Sequence, residues 1–134
     1  MSRERLFNIL AGLIFSLFLV NSAAVKLYWY YSIWWFDMPM HFWGGLCAGM
    51  LVLWFLAQRA LPKPSFSFFW KIILGVLCIG LLWEIFEFLF NNVIAGTPFD
   101  FLDTASDLLF DLLGGAAVFL FLAGKVRGKE PDTI

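Results

Sequence analysis

The sequence predicts an all-α fold, a four-helix transmembrane bundle with both termini cytoplasmic, as one integral membrane domain over residues 1–134. Three observations predict it. The chain is 62% hydrophobic and 14% charged, where a soluble domain carries about a quarter charged residues. Its apolar residues fall into four runs near the ~20 residues that a helix needs to cross the hydrocarbon. And when the chain crosses four times, Arg3, Arg5, Arg59, Lys63, Lys71, Lys125, Arg127 and Lys129 all fall on one side, the arrangement that marks cytoplasmic loops.

The first span is expected at about 6–25, after Arg3 and Arg5. The same start, "SRER" followed by Leu6–Val20 and "NSAA", also resembles a signal peptide. Cleavage there would leave three spans, and the sorting of Lys and Arg favours four. Lys26, the one base on the other side, can snorkel from the end of this span. The loop 26–39 carries "YWYYSIWW", Tyr28–Trp35, an aromatic belt of the kind that sits at a bilayer interface.

The second span is expected at 40–60. Asp37 can cap it, and Pro39 is tolerated in a first helical turn. A Pro-containing loop, "LPKPSFS", separates it from the third span at 68–91. A Gly/Pro loop, "NVIAGTPFDFLD", leads to the fourth at 104–125, and a polar tail follows. Gly44, Gly45, Ala48 and Gly49 on the second span, and Gly114, Gly115, Ala116 and Ala117 on the fourth, suit close helix packing in a membrane. The runs are too long and too poorly alternating for a β-barrel. Cys47 and Cys78 read as buried small hydrophobes, with no zinc-like spacing. The net charge of −1 points to neither nucleic acid nor a basic surface binder.

The acids carry the chemical signal. Glu4, Glu130 and Asp132 belong to the cytoplasmic ends, whereas Asp37, Glu84, Glu87, Asp100, Asp103, Asp107 and Asp111 all fall toward the outer side with His41, the single histidine. In helical geometry Asp37 and His41 share a face, as do Glu84 and Glu87, with Asn91 extending that face outward. Asp103, Asp107 and Asp111 form a stripe entering from the outside, and Asp100 adds to its mouth. The helix dipole favours Asp37, Asp103 and Asp107 near N-termini, but not Glu84, Glu87 or Asp111. A charge at the centre of a membrane helix costs ~2.5–3.5 kcal/mol even on the lenient scale, so such groups face a bundle interior or a wet cavity. Lys26 alone cannot neutralise the set. Some acids are protonated, or a cation sits among them.

The ordered pattern Asp37-xxx-His41-Phe42, Glu84-xx-Glu87, Asp103-xxx-Asp107-xxx-Asp111-xx-Gly114 resembles the YjdF-type family of bacterial inner-membrane proteins, and more distantly the VanZ-like superfamily, over about residues 37–115. Asp111 stands where that family pattern has Asn. The resemblance implies a small multi-span membrane protein and no settled reaction.

The functional expectation is an outward-facing acidic/His pocket in a bacterial inner membrane. Asp37, His41, Glu84, Glu87, Asp103, Asp107 and Asp111 are candidate ligands for a divalent metal, Mg²⁺, Mn²⁺ or, through His41, Zn²⁺. Glu84, Glu87 and Asp107 are candidate catalytic groups. The ion would activate water or polarise a phosphoryl oxygen of a lipid-like or isoprenoid-like substrate, with a spare carboxylate for acid–base work. Two other readings stand beside it. One is a proton- or ion-coupled transporter, which at four spans would need a homo-oligomer. The other is a non-catalytic scaffold with a hydrogen-bonded polar plug. The sequence holds no GxSxG, P-loop, GxGxxG or HExxH motif.

Overall fold

The computed structural model describes residues 2–58 and 60–127. Arg59 and the polar tail with Lys129, Glu130 and Asp132 lie outside the described residues.

Four long helices form, joined by short connections: α1 Arg3–Lys26, α3 Asp37–Leu56, α4 Phe66–Glu87 and α5 Phe101–Arg127. All are long and apolar enough to cross a membrane, α4 together with its continuation to Ile94. Local chemistry sets the ends. The Ser2 hydroxyl accepts from the Arg5 amide and the Ser65 hydroxyl from the Phe68 amide, each at 3.2 Å, satisfying amides that a helix start leaves without partners. Tyr28 turns left-handed at φ 58° and breaks the chain out of α1. A one-turn helix follows, α2 Trp29–Ser32, inside what the sequence reading treats as loop.

Three further departures occur. Asp37 is the first residue of α3 and not its cap; Phe36 holds the cap position and makes no side-chain cap bond. The third span does not stop near residue 91. It runs on as a π-helix, Phe88–Ile94, whose ladder closes with the Ala95 amide donating to the Phe90 carbonyl at 3.0 Å. Asp100 then caps α5, its Oδ1 accepting from the amides of Leu102 (2.9 Å) and Asp103 (3.2 Å). This lengthens the fourth span by a turn, because an Asx cap recruits Phe101 and Leu102 into helix.

α3 is the central helix and packs on α1, α4 and α5, while α4 also packs on α5. The α3–α5 seam is the closest. A Cβ at Gly45 would strike the Asp111 backbone, and one at Gly114 would strike the Phe42 carbonyl and lie 2.6 Å from the Leu46 nitrogen. Only glycine allows the two backbones that near, as in small-residue seams of membrane bundles.

The bundle has two unlike ends. At one, Leu6, Leu53, Ile72, Val76 and Leu122 are buried together, and the Arg3 guanidinium lies 4.5 Å from the centre of the Trp54 ring. At the other, Ala24, Phe36 and Met40 form a small second cluster beside the acids. Large side chains such as Phe15, Phe18, Phe55, Leu82 and Leu120 point outward along the bundle. Water would penalise so much exposed apolar area, whereas lipid chains are the solvent it matches. Cys47 is buried as expected, but Cys78 lies on this outward surface, where a small apolar side chain meets lipid at no cost.

Candidate functional site

His41 lies one turn into α3 and is 8% exposed. Three carboxylates surround its ring. Asp37 Oδ1 on the same helix is 3.8 Å from Nε2, and Asp107 Oδ2 on α5 is 3.7 Å from the same nitrogen. Asp111 Oδ1, one turn further along α5, lies 3.5 Å from Nδ1. The i,i+4 stripe on α5 therefore brackets the imidazole, with one aspartate at each ring nitrogen.

Asp111 reaches the ring because Gly80 clears its path. A Cβ at Gly80 on α4 would lie 2.7 Å from Asp111 Oδ2, and a Cβ at Gly44 on α3 would lie 3.6 Å from Oδ1. The carboxylate thus needs a glycine at position 80, whereas a Cβ at position 44 would make an ordinary contact with it. Gly80 escapes sequence reasoning, since nothing distinguishes it from a packing glycine in "GVLCIG".

Glu84 and Glu87 enter from α4. Asp107 is 2% exposed, Glu84 is 9% exposed and Glu87 is half-buried. One ligand atom from each of His41, Glu84, Glu87 and Asp107 lies within 4.8 Å of all the others. A second grouping, Asp37, Asp103 and Asp107, meets the same limit and shares Asp107 with the first. Asp37 is partly buried there and Asp103 is exposed. Asp111 belongs to neither grouping and stands on the far nitrogen of the histidine. The three helices thus bring together Asp37, His41, Glu84, Glu87, Asp103, Asp107 and Asp111, while Asp100 stays at the rim as a cap.

One atom in the set is anomalous. Glu84 Oε1 is buried and has no hydrogen-bond partner among the described residues. A buried carboxyl oxygen without a partner costs several kcal/mol, so natural interiors rarely leave one.

Beside the set opens a cavity of about 150 Å³, walled by Glu84, Glu87 and Asn91 on one side and Thr97, Asp100 and Asp103 on the other. It is far larger than the ~10–15 Å³ that a single water needs. Its wall is pinned: the Thr97 amide (3.0 Å) and hydroxyl (2.7 Å) both donate to the Asn91 carbonyl, and the Asn92 amide donates to the Thr97 carbonyl at 2.8 Å. Asn91 and Asn92 both lie in the π-helix and line the cavity, and such segments are frequent at functional sites.

Across the same end lies Tyr30 of α2. Its hydroxyl donates to Asn21 Oδ1 at 2.7 Å, and its ring meets Phe36 edge-on at 5.1 Å. Burial, with the negative fields of Asp37 and Glu87, pushes its phenol up to about 12. A sequence reading takes Tyr30 only as one more belt aromatic.

Residues 2–128 match the family described as "Predicted membrane protein (DUF2238)". The chain belongs to this family. The match spans the four helices and every acid of the site, and it agrees with the YjdF-type resemblance, while nothing supports the wider VanZ-like one. No curated protein and no solved structure matches the chain. The family description gives membrane residence and no activity, so the chemistry has to be argued from the site.

Proposed function

We propose that this DUF2238 member binds one divalent cation through His41, Glu84, Glu87 and Asp107, and that the ion acts on a lipid-like substrate reaching it through the adjoining cavity. The observation that carries the reading is the buried, unpartnered Glu84 Oε1 within a set whose ligand atoms all lie within 4.8 Å of one another. Opposed ligands at ~2.1 Å from an octahedral ion stand ~4.2 Å apart, so a small inward movement of side chains closes the set on an ion. A cation would satisfy Glu84 Oε1 and offset the repulsion among the acids.

The donor set is one imidazole and three carboxylates, which suits Mn²⁺ or Mg²⁺, and Zn²⁺ with fewer carboxylates engaged. Asp111 at Nδ1 would fix the ring so that Nε2 faces the ion, the outer-shell arrangement common to metal-bound histidines. When bound, the ion supplies Lewis acidity toward a phosphoryl oxygen and lowers the pKa of a bound water. Asp103, exposed beside the set, would be the carboxylate available for acid–base work there.

Ion transport fits the molecule less well. The acids occupy one end, while Leu6, Leu53, Ile72 and Leu122 fill the other with apolar side chains, leaving no polar route through the bundle. The basic residues near that apolar end support an orientation with that end toward the cytoplasm, and the site toward the outer face, of a bacterial inner membrane.

The test is metal content. The purified protein, loaded with Mn²⁺ and desalted, is expected to retain about one ion per chain. Glu87→Ala and Asp107→Ala should lose it while keeping the helical signal. Retention of the ion by both variants would remove this reading.

A further inference from the structure

We infer that the basic end of the bundle binds an anionic phospholipid, with its phosphate on Arg3 and an acyl chain along the outer face of α1. This surface lies at the end opposite the proposed cation site and does not depend on it.

Charge at this end is one-sided. Arg3, Arg5, Lys63, Lys71 and Lys125 are all exposed, and Glu4 is the only acid there among the described residues. Every ion pair among those residues belongs to His41, at the far end. The bases therefore have their counter-charge to find outside the described chain. Clusters of this kind beside membrane helices attract anionic headgroups.

Arg3 is the base best shaped for a phosphate. Its guanidinium carbon lies 4.5 Å from the centre of the Trp54 ring on α3. Phe7, one turn along α1, has its ring 6.1 Å from the same Trp54, and Trp54 is itself packed against the core. A guanidinium resting on a ring face keeps its N–H edge free, and that planar fork matches two phosphate oxygens. Lys125, 5.8 Å from the Phe121 ring, offers a point charge without the fork.

An apolar track leads away from Arg3. Phe7, Ile14 and Phe18 are exposed and follow it at helical spacing on one face of α1. Phe7 to Phe18 rises about 16 Å, close to half the ~30 Å hydrocarbon thickness and so the depth of one leaflet. A soluble anion would meet the fork and leave this track empty, whereas an anionic phospholipid occupies both. Phosphatidylcholine brings a cation of its own beside the phosphate, which the neighbouring bases repel.

The experiment uses the full chain in nanodiscs of equal parts phosphatidylglycerol and phosphatidylcholine with identical acyl chains. Retained lipid is read by native mass spectrometry after mild extraction. Phosphatidylglycerol should be enriched, and Arg3→Gln should lower that enrichment about tenfold, the worth of one charge-assisted contact. Arg3→Lys keeps the charge without the fork and should recover only part of it. Lys71→Gln removes the same charge from α4 and should leave most of the enrichment in place. The substituted residues are exposed, so each variant should keep its helical signal. Equal retention of the two lipids by the unsubstituted chain would overturn the inference. So would equal losses in Arg3→Gln and Lys71→Gln, which would mean a diffuse attraction with no site at Arg3. Enrichment that emerges only when residues 128–134 are deleted would give the surface to the chain's own acidic Glu130 and Asp132, and would overturn the lipid as its occupant.

Discussion

His41 and Asp111 face each other across the α3–α5 seam, Nδ1 to Oδ1 at 3.5 Å, in a slot kept open by Gly80. The pair turns the other ring nitrogen toward Asp37 and Asp107. In the proposed cation site Asp111 would therefore act through the histidine.

Replacing Asp111 with Asn keeps the size and removes the charge. Metal affinity should fall about 10–100-fold, the usual worth of an outer-shell partner, with the stoichiometry unchanged. Asp107→Asn should lose the ion more completely, since its carboxylate is shared by both ligand groupings. Calorimetric Mn²⁺ titration of the two variants separates these outcomes.

Glu84 makes the opposite kind of prediction. Its buried oxygen has no partner among the described residues, so in chelator the carboxyl should destabilise the bundle. Glu84→Leu should raise the melting temperature of the metal-free protein in detergent, by an amount corresponding to about 1–3 kcal/mol. It should also abolish the further rise that Mn²⁺ gives the unsubstituted chain. Thermal unfolding with and without chelator reads both effects.

Two glycines should behave in contrary ways. Gly45→Ala drives a methyl into the Asp111 backbone and should part α3 from α5, costing several kcal/mol because neither backbone can yield cheaply. A Cβ at Gly12, on α1, meets nothing within 4 Å, and Gly12→Ala should stabilise by up to ~1 kcal/mol through helix propensity. Denaturation in matched detergent compares them.

Tyr30 supplies a pH dependence. Its phenol titrates near 10 when the chain is unfolded and is raised to about 12 in the fold. The folded state then binds the proton more tightly, so the contribution is fully present below pH 10 and is lost as pH rises toward 12. Ultraviolet titration should show a late tyrosine component that Tyr30→Phe removes, and stability between those limits should fall less steeply in that variant.

Much of this was legible in the residues themselves. Apolar run length and the side occupied by Lys and Arg give four helices, and the i,i+4 and i,i+3 spacings put each helix's acids on one face. What periodicity within a helix cannot give is the rotation of one helix against another. That is why Asp111 falls behind His41 while Asp107 falls in front, and why Gly80 opens a slot rather than merely packing. The π-helix at Phe88–Ile94 was hidden for another reason. Its residues include no Gly or Pro to mark a change of turn, and the Thr97 and Asn92 bonds that accompany it tie the segment to the following loop.

The most direct measurement is electron spin-echo modulation of Mn²⁺ bound to the protein, with histidine labelled by ¹⁵N. His41 is the only histidine in the chain, so the account predicts coupling from one directly bound imidazole nitrogen, gone in His41→Ala. A bound ion with no nitrogen coupling, or no bound ion at all, would contradict it.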